Sequence, residues 1–112
     1  MASPIIRNQK IIQHQGGNMK LKDFELLETD VPKGVQAILQ FDNYELSIIN
    51  NEVSYGNKQG LFEIAVFKDG EQIELPGVTN PGDTVKGWLT NSDVDAIIYK
   101  MISLTGKQPR QI

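Results

Sequence analysis

Few side chains in this sequence have the type and spacing that chemistry needs. Histidine, the side chain that titrates nearest neutral pH, occurs once, as His14, and cysteine does not occur. Without cysteine there is no thiol nucleophile, no disulfide and no zinc thiolate site. A lone His14 in a polar N-terminal stretch reads as surface, which leaves a Ser–His or His–metal mechanism without its base or ligand. The carboxylates have structural occupations instead. Asp93 and Asp95 fall in the first turn of a helix, about 200° apart at 100° per residue, so they do not face a shared metal or substrate. A capping role accounts for both.

Glu74 and Gln72 share the outward face of a short strand, a solubility pattern, and Asp42 and Asp69 sit in hairpin turns. Asn80-Pro81-Gly82-Asp83-Thr84 lacks the alternating ligands and terminal Glu of a calcium loop. The glycines show neither the dinucleotide nor the phosphate-loop spacing. Glu63 is the one acid inside an otherwise apolar strand. Buried beside a second carboxylate such as Glu45, it would have the setting of a general acid or base; otherwise it faces the surface or an edge. These residues imply no catalytic group, no metal and no cofactor, and a protein that is not an enzyme on its own.

Two stretches are suited to binding. Tyr55-Gly56-Asn57-Lys58-Gln59-Gly60 puts an aromatic and a cation on a glycine-flanked loop, and Val85-Lys86-Gly87-Trp88-Leu89 carries the only tryptophan. Tyr55, Lys58, Lys86 and Trp88 are therefore the candidate interaction surface. Trp88 is expected to lid the core; left exposed, it would be an interface anchor, since tryptophan is enriched among binding hot spots.

The elements that position these residues can be read from the pattern. A chain of 112 residues, 39% hydrophobic and 22% charged, makes one globular domain. Its apolar runs are far short of the ~20 residues that span a bilayer. A soluble cytoplasmic protein is expected. Residues 1–18 hold Arg7 and Lys10 and no acid; setting those two positive charges aside from the net −3 leaves −5 on the other 94 residues. That segment reads as a leader or basic arm. Gln15-Gly16-Gly17-Asn18-Met19 can be encoded with a GGAGG ribosome-binding sequence ahead of the Met19 codon, which would make Met19 the start and the rest translated leader.

From Met19 to Gly106 the sequence reads as a single α+β domain, with residues 107–112 as a tail. Lys20–Thr29 suits a short helix or an edge strand, and Asp30-Val31-Pro32-Lys33-Gly34 is a turn, with Gly34 free to take positive φ. Val35, Ala37, Leu39 and Phe41 alternate as a strand, as do Tyr44, Leu46 and Ile48 after the Asp42-Asn43 turn. Leu61–Phe67 is apolar on both sides apart from Glu63, which predicts a central strand under a helix. Lys68-Asp69-Gly70 turns it into Glu71–Leu75. Thr90 and Asp93 have capping-box spacing, Val94, Ile97, Ile98, Met101, Ile102 and Leu104 form a stripe, and Gly106 suits the C-terminal cap. The expected fold is an antiparallel meander of four to five strands with one helix, about 91–105, on one face. A small SH3- or Sm-like barrel with a C-terminal helix is the alternative.

Tyr44-Glu45-Leu46-Ser47-Ile48, Tyr55-Gly56, Leu61-Phe62-Glu63-Ile64-Ala65-Val66 with Asp69-Gly70, and Val85-Lys86-Gly87-Trp88-Leu89 before Asp93-Val94 together resemble the small uncharacterised proteins of marine cyanophages and ocean metagenomes. The resemblance covers about residues 44–104 and carries no active-site residues. It implies a phage-borne accessory protein in a bacterial cytoplasm, binding a host or virion protein or a second copy of itself. The Val85-Lys86-Gly87 step is also similar to the second motif of Sm-like RNA-binding rings, although here the helix follows the strands. The alternative function is accordingly a nucleic-acid-binding Sm-like or OB-like module, and the residue types suited to it are Tyr55, Lys58, Lys86 and Trp88, with Arg7 and Lys10 of the basic arm. Aromatics would stack bases and cations would track phosphates, with few cations to spare on an acidic body.

Overall fold

Apolar residues at every second position give Lys33–Phe41 (β2), Tyr44–Asn51 (β3) and Phe62–Lys68 (β4) one buried face each, and these three strands are the centre of the protein. The structure, a computed structural model, describes residues 18–112. The expectations for His14, Arg7, Lys10 and the leader lie outside the described residues.

Leu27–Asp30 (β1) and Glu71–Ile73 (β5) complete a five-strand antiparallel meander, β1-β2-β3-β4-β5. Val85–Leu89 (β6) pairs with β4, and Arg110–Gln111 (β7) pairs with β2. Both outer positions are shared end to end. Along β2, β1 takes residues 33–36 and β7 takes 39–40; along β4, β6 takes 62–65 and β5 takes 66–68. Among the described residues neither outer pair joins the other, so the sheet is open and the barrel alternative is not the arrangement formed.

Register places Leu39 opposite Leu46 and Leu46 opposite Val66, with Ala37, Ile48 and Ile64 in the next row. Together with Phe41, Phe62 and Leu89 they are buried against Val94, Ile97, Ile98 and Met101 of the helix Asn91–Thr105 (α1). The helix covers one face only. Phe62, Ile64 and Val66 are accordingly buried, while Glu63, Ala65 and Phe67 on the other face are half-buried, short of the two-sided burial expected for this strand.

The helix has the limits its sequence implies. Thr90 Oγ1 accepts the Asp93 N–H at 3.1 Å, and the Thr90 N–H donates to Asp93 Oδ2 at 2.9 Å. Gly106 takes the left-handed conformation, φ 71°, and its N–H donates to the Ile102 carbonyl at 2.7 Å. The apolar stripe ends before Leu104, which is 54% exposed; at 100° per residue it lies about 80° round from Val94. Hydrogen bonds from the Thr90 main chain, then from its side chain, hold the Asp93 carboxyl below the ordinary 3.8. Because the folded value is the depressed one, this stabilisation is complete above the ordinary value and is lost as pH falls through the folded value. Thr90→Ala is expected to cost about 1 kcal/mol at neutral pH. In urea titrations the gap between variant and wild type should narrow as the pH is lowered below 3.8.

Several polar residues act at a distance that local reading assigned otherwise. Asp95 does not cap: its Oδ1 accepts the Leu21 N–H at 2.8 Å, fastening the 3-10 turn Leu21–Asp23 to the helix. The stretch Lys20–Thr29 thus supplies both a helical turn and, in β1, an edge strand. Gln72 and Glu74, expected to be plain outward residues, tie down the excursion after β5. Gln72 Nε2 donates to Thr84 Oγ1 at 2.8 Å, and Glu74 Oε2 accepts the Gly82 N–H at 2.7 Å.

Residues 107–112 are not a free tail. Beyond β7, the Ile112 N–H donates to the Ile38 carbonyl at 3.0 Å. Gln111 bonds both main-chain groups of Glu25, accepting its N–H at 2.9 Å and donating to its carbonyl at 2.6 Å. The chain returns past the left-handed Gly106, and Pro109 is buried where it does so. Among the described residues no helix is long and apolar enough to cross a membrane.

Candidate binding surface at Trp88

The strand β6 contains one residue too many for the strand it faces. Leu89 lies opposite Phe62 and Lys86 opposite Ile64, three steps on β6 against two on β4. The excess is a β-bulge, a device that bends a strand and re-aims a side chain. At the bulge Trp88 has φ 61°, in the left-handed region that bulky residues seldom occupy. This overturns the expected core lid. Leu89 takes the buried place at 3% exposure, and Trp88 is turned outward at 57%.

The connection from β3 to β4 packs against this bulge. Ser54 Oγ accepts the Asn51 N–H and donates to the Asn51 carbonyl, each at 2.9 Å, and Asn51 Oδ1 accepts the Val53 N–H at 3.0 Å. Glu63 reaches out of β4 so that its Oε1 accepts the Tyr55 N–H at 2.8 Å, while the Trp88 N–H points at the Tyr55 carbonyl, 3.5 Å away. Gly87 permits the approach: a Cβ there would lie 2.5 Å from Tyr55 Cβ. The two stretches singled out in the sequence are therefore one surface, with its backbone held by hydrogen bonds.

Glu63 is the half-buried organiser of that loop, not half of an acid pair. Register puts Glu45 opposite Phe67, four residues along β4 from Glu63, or about 13 Å at 3.3 Å per residue. Among the described residues no group of His, Cys, Asp and Glu side chains is placed to hold a metal ion.

Two open clefts share Trp88 as a lining residue. The first, about 250 Å³, is lined by residues 52–59, among them Glu52, Val53, Tyr55 and Lys58, together with Trp88. The second, about 360 Å³, lies between Trp88, Lys86 and the helix residues Asp93, Ala96, Ile97 and Lys100. Of the four residues expected at the surface, Tyr55, Lys58 and Trp88 share the first cleft, and Lys86 joins Trp88 in the second. Sequence reasoning missed Val53, which is 75% exposed, and Lys100, whose Nζ donates to the Gly77 carbonyl at 2.7 Å. An apolar valine in a polar loop was the available signal for the first; the second depends on helix placement and had none.

A left-handed conformation costs a non-glycine residue on the order of 1–3 kcal/mol, and glycine almost nothing. Trp88→Gly is thus expected to melt no lower than the wild type by circular dichroism, although it removes the largest side chain of the region. A clear drop in melting temperature would mean that the indole stabilises the fold. Neither a family model, nor a curated protein, nor a solved structure matches this chain.

Proposed function

We propose that this is a non-enzymatic interaction protein that docks a protein partner on the ridge formed by Trp88 and Tyr55. One observation carries the reading: a tryptophan held outward, in a costly backbone conformation, by a hydrogen-bonded loop that presents two more exposed apolar residues beside it. Exposed and preorganised aromatics lose little entropy on binding, which is what makes them hot spots. The helix-free face of the sheet is a weaker candidate, because Ile38, Ile49, Ala65 and Phe67 there are already half-buried by their neighbours. The resemblance to cyanophage proteins makes a host or virion protein the natural partner and a bacterial cytoplasm the natural setting.

The test is affinity capture from a cyanobacterial or other bacterial lysate with three baits: wild type, Trp88→Gly and Tyr55→Ala. A protein retained by the wild type and lost with Trp88→Gly supports the reading. The same proteins on all three baits, or none on any from a chain that is a monomer in solution, overturns it.

Nucleic-acid binding is the second reading, favoured by the exposed Lys58 and the half-buried Lys86 in the two clefts that share an exposed indole. Affinity for an oligonucleotide would then fall steeply between low and moderate salt.

A further inference from the structure

We infer that the ridge takes an extended acidic peptide segment of the partner, with an apolar or aromatic side chain against Trp88 and carboxylates at Lys58 and Lys86. This rests on the docking reading above and names the chemistry of the ligand. Charge is the first argument. The described residues carry −5, since both cations outside them, Arg7 and Lys10, lie in the acid-free segment. Around Trp88 the balance is even: the two clefts hold Lys58, Lys86 and Lys100 against Glu52 and Asp93, and Glu63 stands at the Tyr55 end of the ridge. A locally neutral patch on an acidic protein, with its carboxylates tied to main-chain N–H groups, leaves its ammonium groups to meet a negative ligand of limited extent.

The state of each charge sharpens this. All three acids are already engaged: Glu52 Oε2 accepts the Lys33 N–H at 2.8 Å, Glu63 Oε1 the Tyr55 N–H at 2.8 Å, and Asp93 closes the helix cap through Thr90. Lys100 is held by the Gly77 carbonyl. Lys58 and Lys86 have no hydrogen-bond partner among the described residues, although Lys86 shares its cleft with Asp93. Two ammonium groups without a hydrogen-bond partner therefore lie beside the indole, one in each cleft.

The same inventory argues against a nucleic acid. A continuous phosphate backbone needs several clustered cations and would run past the carboxylates of Glu52 and Asp93. Isolated carboxylates on a peptide can be set one at a time beside the two lysines, with no continuous run of charge past those acids. An extended segment can lie along β6, which pairs with no described strand besides β4, although its Val85 carbonyl accepts the Asn80 N–H and its Trp88 N–H points at the Tyr55 carbonyl. The bulge interrupts that edge, so side chains, more than a continued ladder, would carry recognition.

Trp88 is the only tryptophan, so intrinsic emission of the full chain reports on this site alone. The probes are the blocked peptides Glu-Asp-Phe-Asp-Glu and Lys-Lys-Phe-Lys-Lys, and a ten-nucleotide oligothymidine. The acidic peptide is expected to shift Trp88 emission to shorter wavelength and to protect it from iodide quenching. The double variant Lys58→Glu, Lys86→Glu, with its fold verified by circular dichroism, should bind the acidic peptide about tenfold more weakly and prefer the basic one. Equal binding of both peptides, no change in emission at millimolar acidic peptide, or tighter binding of the oligothymidine would overturn the inference. If the acidic peptide fails while a captured protein still requires Trp88, the ligand chemistry falls and the docking surface stands. If Trp88→Gly captures the same proteins as the wild type, the docking surface itself falls.

Discussion

Ile98→Ala and Met101→Ala are each expected to lower the unfolding free energy by about 2–5 kcal/mol. Both side chains have 0% exposure and lie where α1 closes the single apolar core over β2, β3 and β4. Truncation removes buried methylene groups and leaves a cavity that a helix pinned at both ends cannot collapse to fill. The N-terminal cap and the Asp95–Leu21 hydrogen bond fasten one end, and Gly106 with the returning strand β7 fastens the other. Leu104→Ala, on the exposed side of the same helix, is the control and should change stability by less than about 0.5 kcal/mol. Urea denaturation followed by circular dichroism measures all three. For a domain whose whole stability is of order 5–15 kcal/mol, the core losses are large. Small effects for both buried residues, with a large one for Leu104, would mean that the helix packs through another face.

Gly34→Ala is expected to be nearly as damaging, for a reason confined to the backbone. Gly34 lies in β2 opposite Asn51, where the two strands approach so closely that a Cβ would run into the Asn50 carbonyl oxygen and the Asn51 Cα. Those atoms belong to the main chain of a paired strand and have no rotamer with which to give way. Overpacking of this kind costs about 1–3 kcal/mol, occasionally more. The damage should also reach the binding surface. Asn51 anchors the Ser54 turn from which Tyr55 and the first cleft are built. Thermal melting and Trp88 emission on the same samples test both parts: a lowered melting temperature together with altered emission is expected. Unchanged melting would show that β2 and β3 do not approach as closely at this point.

The glycine also marks a limit of local reading. In the sequence Gly34 reads as a turn residue kept for positive φ, yet it is an ordinary strand residue kept for its missing side chain. Both uses put a glycine after Pro32-Lys33, and only the packed partner strand distinguishes them.

Features that depend on a few neighbouring residues were legible. Asp69 and Gly70 turn β4 into β5 with φ 51° and 84°, as an Asp-Gly pair between alternating strands implies. The limits of α1, its capping box and four of its core residues follow from spacing within a single helix, because i to i+3 and i+4 geometry is the same in any fold. The grouping of Tyr55, Lys58 and Trp88 was legible only as residue type, two aromatics and a cation near glycines.

What tertiary structure decided is of another kind. Trp88 points outward because β6 carries one residue more than β4 across Phe62–Ile64, and no residue near Trp88 announces that mismatch. Asp95 bonds a main-chain group 74 positions away, Gln111 bonds Glu25 from 86 positions away, and β7 exists only because the chain past Gly106 meets the half of β2 that β1 leaves unpaired. The sequence alone placed the helix and the central strands β2, β3 and β4, since backbone preference and side-chain period are short-range quantities. Which side chains leave the core to face a partner was settled by register and by contacts between distant segments, and these exist only once the sheet has formed.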